Sequence, residues 1–256
     1  MIEIYKEILN IFVKGGNAVL ATIISAKGHT PRNAGAKIFI KNDGTTVGSI
    51  GGGGPEAIVC SEAKEVLKEG VPRIINFDLT KNAKVDVGMI CGGKMDVYVE
   101  PIFSKPKLFI FGGGHIAIPL AKISKLSEFR VTVIDNRKEF ANTTRFPEVD
   151  EVINVDFKKA FSLIKIDTQS YIVIITKCHR EDKEVLEMAV KTPATYIGMI
   201  GSSKKKDLIF SKLLKKGVKR NKLTDVHSPI GVEINSKTPA EIAISIIAEM
   251  IKIRNT

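Results

Sequence analysis

Residues 107–122 read Lys-Leu-Phe-Ile-Phe-Gly-Gly-Gly-His-Ile-Ala-Ile-Pro-Leu-Ala-Lys, a short apolar run followed by three glycines and then by apolar residues at helical spacing. This order predicts a buried strand, a tight turn and the start of a helix. Gly112, Gly114 and Ala117 fit the G-x-G-x-x-G/A pattern, in which the glycines form the turn and let the backbone approach a pyrophosphate. The first amides of the helix would then face that anion.

A second apolar run, Arg130–Asp135, supports the same interpretation. It ends in an acidic residue about 20 positions after the glycines, where folds of this kind meet a ribose hydroxyl. The two strands together predict a Rossmann-type domain with a crevice lined by Gly112, Gly114, His115 and Asp135. His115 either donates to a phosphate or is an exposed residue of the first helical turn, and Arg137 leaves the choice between NAD and NADP open.

Strand and helix patterns alternate through the rest of the second half. The predicted segments are residues 108–111, 116–126, 131–134, 149–154, 171–176, 181–190 and 195–199. This alternation predicts an α/β fold with a doubly wound parallel sheet. The last predicted helix, residues 242–253, follows a capping box of Thr238 and Glu241, with Pro239 at the first helical position.

The first half has a different pattern, which predicts a small α+β domain. Its predicted elements are a helix over 2–13, a strand over 18–25, a hairpin of 37–40 and 46–50, a helix over 55–68, and strands over 73–77 and 95–100. Two prolines in residues 100–106 are typical of a linker between domains. We therefore expect an α+β domain over residues 1–101 and a Rossmann-type domain over residues 107–256.

The composition restricts the classes of partner. Lys and Arg number 39 against 28 Asp and Glu, a formal net charge of +11 at pH 7, which favours anionic ligands or nucleic acid. The lysines are scattered along predicted helices and no basic motif is interleaved with aromatic residues, so we expect no nucleic-acid partner. No apolar run approaches the roughly 20 residues that span a membrane. The three cysteines have no close pair and the first helix is amphipathic, unlike a signal peptide, which predicts a cytoplasmic protein.

Three segments of the first half have the composition of ligand-binding loops, namely residues 27–37, 47–56 and 87–94. The second of them contains Gly51, Gly52, Gly53 and Gly54. Because a helix follows, we expect many free amides there, which is a natural anion site. Arg32 in the first loop could add a planar fork for phosphate or carboxylate. Each loop alone could equally be a turn packed against a neighbour, but three in one small domain favour a ligand site.

The cysteines and the remaining histidines differ in their surroundings. Cys91 precedes two glycines, where backbone amides could stabilise a thiolate, or it is a small buried residue. Cys60 lies in an apolar helical pattern and is expected in the core. Cys178 and His179 lie at the carboxyl edge of the second sheet, but adjacent loop residues rarely face each other, so we expect no catalytic dyad. We expect a structural role for His227, and the patterns assign no catalytic residue.

Taken together, these segments resemble the XdhC/CoxI family, the accessory proteins of xanthine dehydrogenase and related molybdenum hydroxylases. In the first half the resemblance rests on Thr30-Pro-Arg32, Gly35-Ala-Lys37, Gly48-Ser-Ile-Gly-Gly-Gly53, Glu56, Gly88-Met-Ile-Cys-Gly-Gly93 and Glu100-Pro101. In the second half it rests on Phe111-Gly-Gly-Gly-His-Ile116, Asp135-Asn-Arg137, Arg145-Phe-Pro147, Thr176, His179, Asp182, Tyr196-Ile-Gly-Met-Ile-Gly-Ser202, His227-Ser-Pro-Ile-Gly231, Thr238-Pro-Ala-Glu-Ile-Ala243, Ser245 and Ala248-Glu249.

The resemblance implies an accessory protein rather than a catalyst. Members of this family take up molybdenum cofactor, protect it while its terminal sulfido ligand is installed, and hand it to the apo-enzyme of the hydroxylase. They typically form homodimers, and a cysteine desulfurase supplies the sulfur. The competing interpretation is an NAD(P)-binding oxidoreductase or a dinucleotide-sensing regulator. The glycine motif favours that alternative, but we identify no Tyr–Lys pair that would handle a hydride.

The same resemblance suggests where the cofactor would lie. It is a pterin with a phosphate and a metal-binding dithiolene, and its anionic groups suit Arg32 and the four-glycine loop. In the family this loop usually ends in cysteine, where the present chain has Gly54. Contact with the metal is therefore expected to depend on Cys91 or to be absent.

Overall fold

Each half of the chain is built around its own β-sheet, and each sheet contains a strand that is buried on both faces. The computed structural model describes residues 1–79 and 92–255. The chain divides into two units, Met1–Ser104 and Lys105–Thr256, each with its own hydrophobic core. Within the described residues, every helix is too short or too polar to cross a membrane.

The first unit is an antiparallel sheet with a helix on each face. Its described elements are α1 (Ile2–Lys14), β1 (Asn17–Lys27), β2 (Lys37–Lys41), β3 (Thr46–Gly48), α2 (Gly53–Glu69), β4 (Arg73–Asp78) and β5 (Lys94–Phe103). The strand order is β3-β2-β1-β5-β4. Alternate residues of β1 face opposite helices, because Val19, Ala21 and Ile23 pack with α2 while Ala18 and Leu20 pack with α1. The expected α+β architecture is confirmed.

The second unit is a parallel sheet covered by helices on both faces. Its described elements are β6 (Lys107–Phe111), α3 (Ala117–Leu126), β7 (Arg130–Asp135), β8 (Glu151–Asn154), α4 (Phe157–Leu163), β9 (Ser170–Ile174), α5 (His179–Ala189), β10 (Tyr196–Met199), α6 (Ser203–Lys215), α7 (Arg220–Thr224), β11 (Val226–His227) and α8 (Pro239–Arg254). The strand order is β8-β7-β6-β9-β10-β11. The chain starts at the centre, steps out to one edge and then returns to build the other half, as dinucleotide-binding sheets do. The predicted doubly wound sheet is confirmed.

The two central strands of this sheet, β6 and β9, are almost wholly apolar because both of their faces are covered by helices. Residues of β6 and β9 alternate between a core formed with α3 and α8 and a core formed with α4, α5 and α6. All five residues of β9 are buried as a result. Since the chain leaves β6 and β9 toward opposite edges, a crevice is expected at their carboxyl ends.

Capping residues fix several helix ends that periodicity alone does not. The capping box of α8 is confirmed, since Thr238 and Glu241 each accept from the other's backbone amide. Asp156 caps the short helix α4, and Ser202 caps α6. The predicted segments omit α4, where lysines interrupt the apolar spacing, and they give no bounds for the helix on which Lys204–Lys206 were expected. α5 begins at His179, two residues before its predicted start.

Replacing Gly198 by alanine is expected to destabilise the second unit. An added Cβ would lie 2.4 Å from Cδ1 of Ile230 and 2.5 Å from the hydroxyl oxygen of Tyr196. Overpacking of this kind costs about 1–3 kcal/mol, which denaturant titration would measure as a lower free energy of unfolding. Gly114→Ala is the matched control, because an added Cβ at Gly114 meets no atom within 4 Å. Equal stability of the two variants would contradict this packing.

Candidate functional site

The glycine loop of the first unit is organised by a carboxylate of the protein itself. Oε2 of Glu56, in the first turn of α2, accepts hydrogen bonds from Oγ of Ser49 (2.7 Å) and from the amides of Ile50 (3.1 Å) and Gly52 (3.0 Å). Oγ of Ser49 in turn accepts from the amide of Gly51 (3.0 Å). The amides that precede the helix are therefore already bound within the protein.

Two amides at the start of α2 remain available to a ligand. Those of Gly53 and Gly54 donate to no other group in the part of the chain that the structure describes, and Pro55 has no amide hydrogen. The positive end of the helix dipole adds to their attraction for an anion. The expectation of many free amides in this loop is wrong, because Glu56 and Ser49 take those ahead of the helix.

The structure brings together the described parts of all three predicted loops. A Cβ added at Gly51 would lie 2.4 Å from Cβ of Pro31, and one added at Gly93 would lie 2.5 Å from the carbonyl oxygen of His29. The loop of residues 27–37 therefore contacts both of the others, and a side chain at either contact point would push the loops apart.

Basic residues lie on the exposed side of these loops. Lys27, His29 and Arg32 are exposed, and the guanidinium of Arg32 has no partner among the described residues. Oγ1 of Thr30 donates to the carbonyl oxygen of Arg32 (3.0 Å), which holds the backbone at this position. A cation on the loop that contacts the glycine segment suits a phosphate or a carboxylate.

Of the two cysteines of the first unit, Cys60 lies among the described residues and Cys91 does not. Cys60 is half-buried on α2 and packs against the core, as expected. Burial, together with the nearby charge of Glu56, raises the pKa of the Cys60 thiol, so it is poorly suited to bind a metal as a thiolate. Cys91 lies outside the described residues, and its contact with a metal stays a prediction. Within the described ranges, no group of three or more His, Cys, Asp or Glu side chains is placed to hold a metal.

The crevice of the second unit lies where the chain changes direction between β6 and β9. Gly112 (φ 110°) follows β6, and a Cβ added there would lie 2.3 Å from the carbonyl oxygen of Ile175. At Gly114, by contrast, an added Cβ would meet no atom within 4 Å, and His115 is exposed. The turn is therefore closed at its first glycine and open at its third, where an anion could approach the backbone.

Asp135 is buried at the end of β7 and accepts four hydrogen bonds from the protein. Its Oδ1 accepts from the amide (2.9 Å) and Nε (2.9 Å) of Arg137, and its Oδ2 accepts from Nη2 of Arg137 (2.9 Å) and the amide of Gly113 (2.8 Å). Burial alone would raise the pKa of Asp135, but these hydrogen bonds together lower it below its ordinary value. The carboxylate thus ties the glycine turn to the segment after β7. A role in meeting a ribose hydroxyl stays a prediction, which now requires breaking one of these bonds.

Two arginines and a phenylalanine cover the middle glycine of the turn. The guanidinium of Arg137 lies 3.7 Å from the ring centroid of Phe140, and that of Arg145 lies 5.1 Å from the same ring. Nε of Arg145 donates to the carbonyl oxygen of Gly113 (3.0 Å), and a Cβ added at Gly113 would lie 2.1 Å from the carbonyl oxygen of Phe140. This side of the turn is therefore filled by the protein itself.

A buried carboxylate joins the carboxyl ends of β9 and β10. Oδ1 of Asp182 accepts from the amide (3.1 Å) and hydroxyl (2.7 Å) of Thr176, and Oδ2 lies 2.5 Å from Nζ of Lys205. Burial raises the pKa of Asp182 despite these contacts. Nζ of Lys205 also donates to the carbonyl oxygen of Ile200 (3.1 Å). The hydroxyl of Thr176, whose single proton is shared, also lies 3.1 Å from the carbonyl oxygen of Cys178. This network positions the second wall of the crevice.

Glu249 of α8 anchors the last two strands of the sheet. It accepts from the hydroxyl of Tyr196 (2.6 Å) and the amide of Gly231 (2.9 Å), and lies 3.1 Å from Nδ1 of His227. Burial, reinforced by Glu249, raises the pKa of Tyr196 well above its ordinary value. Sequence reasoning missed this network and that of Asp182, although their residues are among those that carry the family resemblance. Their partners lie up to 53 positions apart, so no local pattern pairs them.

Asp135→Asn is expected to destabilise the second unit by about 3 kcal/mol, because Arg137 would lose its counter-charge in a partly buried setting. Since the pKa of Asp135 in the folded state lies below the unfolded value of about 3.9, the carboxylate stabilises the fold above that pH. This contribution is lost as the pH falls through the folded pKa. The difference in free energy of unfolding between wild type and variant, from denaturant titrations, should therefore shrink below about pH 4.

The exposed Asp207 provides the control, because Asp207→Asn should leave stability nearly unchanged. A wild-type advantage over Asp135→Asn that stayed constant down to about pH 2 would contradict the proposed role of the charge.

Two family profiles match the chain. That of the XdhC and CoxI family matches residues 13–78, and that of the XdhC Rossmann domain matches residues 108–250. The first range contains the glycine loop held by Glu56, and the second contains the crevice with both buried networks.

Three curated relatives are similar in sequence to the chain. The chain is 32% identical over 237 residues to YqeB of Escherichia coli K12, described as an uncharacterized protein, covering 92% of this chain and 43% of YqeB. It is 28% identical over 159 residues to a Bacillus subtilis 168 protein described as a probable xanthine dehydrogenase subunit, covering 62% of this chain and 46% of that one. It is 23% identical to the molybdenum cofactor insertion chaperone PaoD of Escherichia coli K12, covering 94% and 85% of the two chains. The chain thus spans less than half the length of the first two.

A solved structure has the same fold. It is a crystal structure described as a xanthine dehydrogenase from Bacillus halodurans, with a TM-score of 0.55 and 22% identity, covering 98% of this chain and 96% of that one. At this identity the likeness shows the fold alone. The profile matches go further, because they cover most of both units and include the motifs that form the two glycine turns. The chain belongs to the XdhC/CoxI family.

Proposed function

We propose that this protein is an accessory protein that binds molybdenum cofactor and assists its sulfuration and its insertion into a xanthine dehydrogenase-type molybdenum hydroxylase. The observation that carries the proposal is the convergence of the described parts of three glycine-containing loops in the first unit. One of these loops carries Arg32, whose guanidinium has no partner within residues 1–79 and 92–255. Family membership and the names of two relatives support the same role.

The residues of the first unit fit the anionic part of such a cofactor. Among the described residues of this site, the amides of Gly53 and Gly54 and the guanidinium of Arg32 are donors that remain for its phosphate. Glu56 keeps the preceding amides engaged, so the four-glycine loop offers a small, defined set of donors rather than a broad amide surface. When bound, the cofactor supplies the molybdenum centre that is destined for the hydroxylase. Cys91 is the thiol that we propose contacts it.

The proposal extends to three partners. An accessory protein of this kind delivers its cofactor to the apo-enzyme of a molybdenum hydroxylase, and a cysteine desulfurase supplies the sulfur. A second copy of the chain completes the proposed homodimer.

The second candidate function is a dinucleotide-binding oxidoreductase or regulator. It is favoured by the open backbone at Gly114 and by the strand order around the crevice. The two candidates concern different units of the chain, so one protein can accommodate both a cofactor site and a nucleotide site.

Arg32→Glu should lower the amount of molybdenum that the protein retains about tenfold or more, because a charge-assisted contact to phosphate would become a repulsion. The measurement is metal analysis of protein purified after co-expression with the cofactor pathway. Lys64→Glu is the matched control, since it makes the same change of charge at an exposed position of α2. Equal retention in both variants would contradict the role of Arg32, whereas no molybdenum in the unmodified protein would contradict the proposed function.

Cys91→Ser should lower retained molybdenum more than Cys60→Ser or Cys178→Ser. The physical reason is that a thiolate ligand binds the metal far better than a hydroxyl does, and Gly54 leaves the other family thiol position without sulfur. The same metal analysis, normalised to protein concentration, measures the effect. Equal retention in all three variants would show that no cysteine contacts the metal.

A further inference from the structure

We infer that the crevice of the second unit recognises a nucleotide whose ribose carries a phosphate at its 2′ position, in preference to one with a free ribose diol. The inference concerns the second unit alone and does not depend on the role proposed for the first. It rests on two observations. The carboxylate of Asp135 already accepts hydrogen bonds from the protein, and the guanidinium of Arg137, which supplies two of these bonds, is held in a fixed position.

The glycine turn of the crevice leaves its backbone accessible at Gly114, where the diphosphate of such a ligand would approach. The crevice lies between β6 and β9, where the chain changes direction and where sheets of this type bind nucleotides. The backbone at Gly114 is open, because an added Cβ would meet no atom within 4 Å. Helix α3 begins three residues later, so its first amides and its dipole favour an anion beside the turn.

The ribose end of the crevice has no free acidic acceptor at Asp135. A carboxylate has about four lone-pair sites, and Asp135 already accepts from the amide of Gly113 and from three nitrogens of Arg137. The side chain of Asp135 is 1% exposed. A ribose hydroxyl could donate to Asp135 only by displacing one of these donors, so the usual recognition of a free diol is blocked.

Arg137 presents a positive group at the same place. Two of its guanidinium nitrogens are held by Asp135 and its plane lies over the Phe140 ring, which fixes its orientation before any ligand arrives. Its third nitrogen, Nη1, donates to nothing in the described residues, and the side chain is 24% exposed. Two further carboxylates lie near Arg137, namely Glu139 and Glu181, and Oε1 of Glu181 is engaged by Asn136 (3.2 Å) and Lys177 (3.4 Å). A phosphate would meet a fixed cation here, as in NADP-binding relatives of this fold class.

Isothermal titration of the full chain with four nucleotides tests the inference. NADP⁺ should bind about tenfold or more tightly than NAD⁺, and adenosine 2′,5′-bisphosphate about tenfold or more tightly than adenosine 3′,5′-bisphosphate. Similar affinities within each pair would overturn the inference, as would the absence of binding by all four. Tighter binding of the 3′,5′ isomer would also overturn it.

Two variants locate the effect. Arg137→Gln should abolish the preference for the 2′-phosphate, whereas Lys138→Gln, which removes the neighbouring exposed charge, should retain it. If Arg137→Gln fails to fold, the four-nucleotide comparison on the unmodified protein still decides. Gly114→Asp should weaken binding of every nucleotide while leaving retained molybdenum unchanged, so failure here is distinguishable from failure of the proposed function. Unaltered nucleotide affinity in Gly114→Asp would overturn the inference.

Discussion

The buried carboxylate of Asp135 is the interaction on which the crevice of the second unit depends. It holds the amide of Gly113 on one side and the backbone and guanidinium of Arg137 on the other. The turn after β6 and the segment after β7 are thereby locked together. Because the carboxylate of Asp135 is buried while Arg137 is only partly so, the hydrogen bonds to the carboxylate have to be nearly complete to offset the cost of removing its charge from water. The four hydrogen bonds to Asp135 meet that requirement.

In the first unit, too, a carboxylate of the protein holds a glycine-rich turn. There Glu56 lies against the glycine loop and binds amides that would otherwise be unsatisfied. In both units a glycine-rich turn therefore carries an internal anion on part of its amide surface. The remaining open positions, Gly53 and Gly54 in one unit and Gly114 in the other, are few and well defined. A ligand at either turn would meet a rigid backbone that was organised before its arrival.

The sequence was sufficient to predict the two architectures and the places where their turns lie. Hydrophobic periodicity determined the strands around Leu20 and Ile172, and side-chain capping determined the start of α8, both of which are local properties. The roles of Asp135 and Glu56 could not be predicted. Asp135 ends a strand and Glu56 lies in the first turn of a helix, and an acidic residue at either position can bind a ligand or the protein's own amides. The choice depends on donors that folding brings close, such as Gly113, which lies 22 positions from Asp135.

The edges of the parallel sheet have a consequence for how copies of the chain can associate. The outermost strands are short, since β8 comprises four residues and β11 only two. Short edge strands present few unpaired backbone groups and resist the addition of a foreign strand. Self-assembly through this sheet by strand addition is therefore disfavoured. Association of this unit through side chains of its helices and loops is favoured instead.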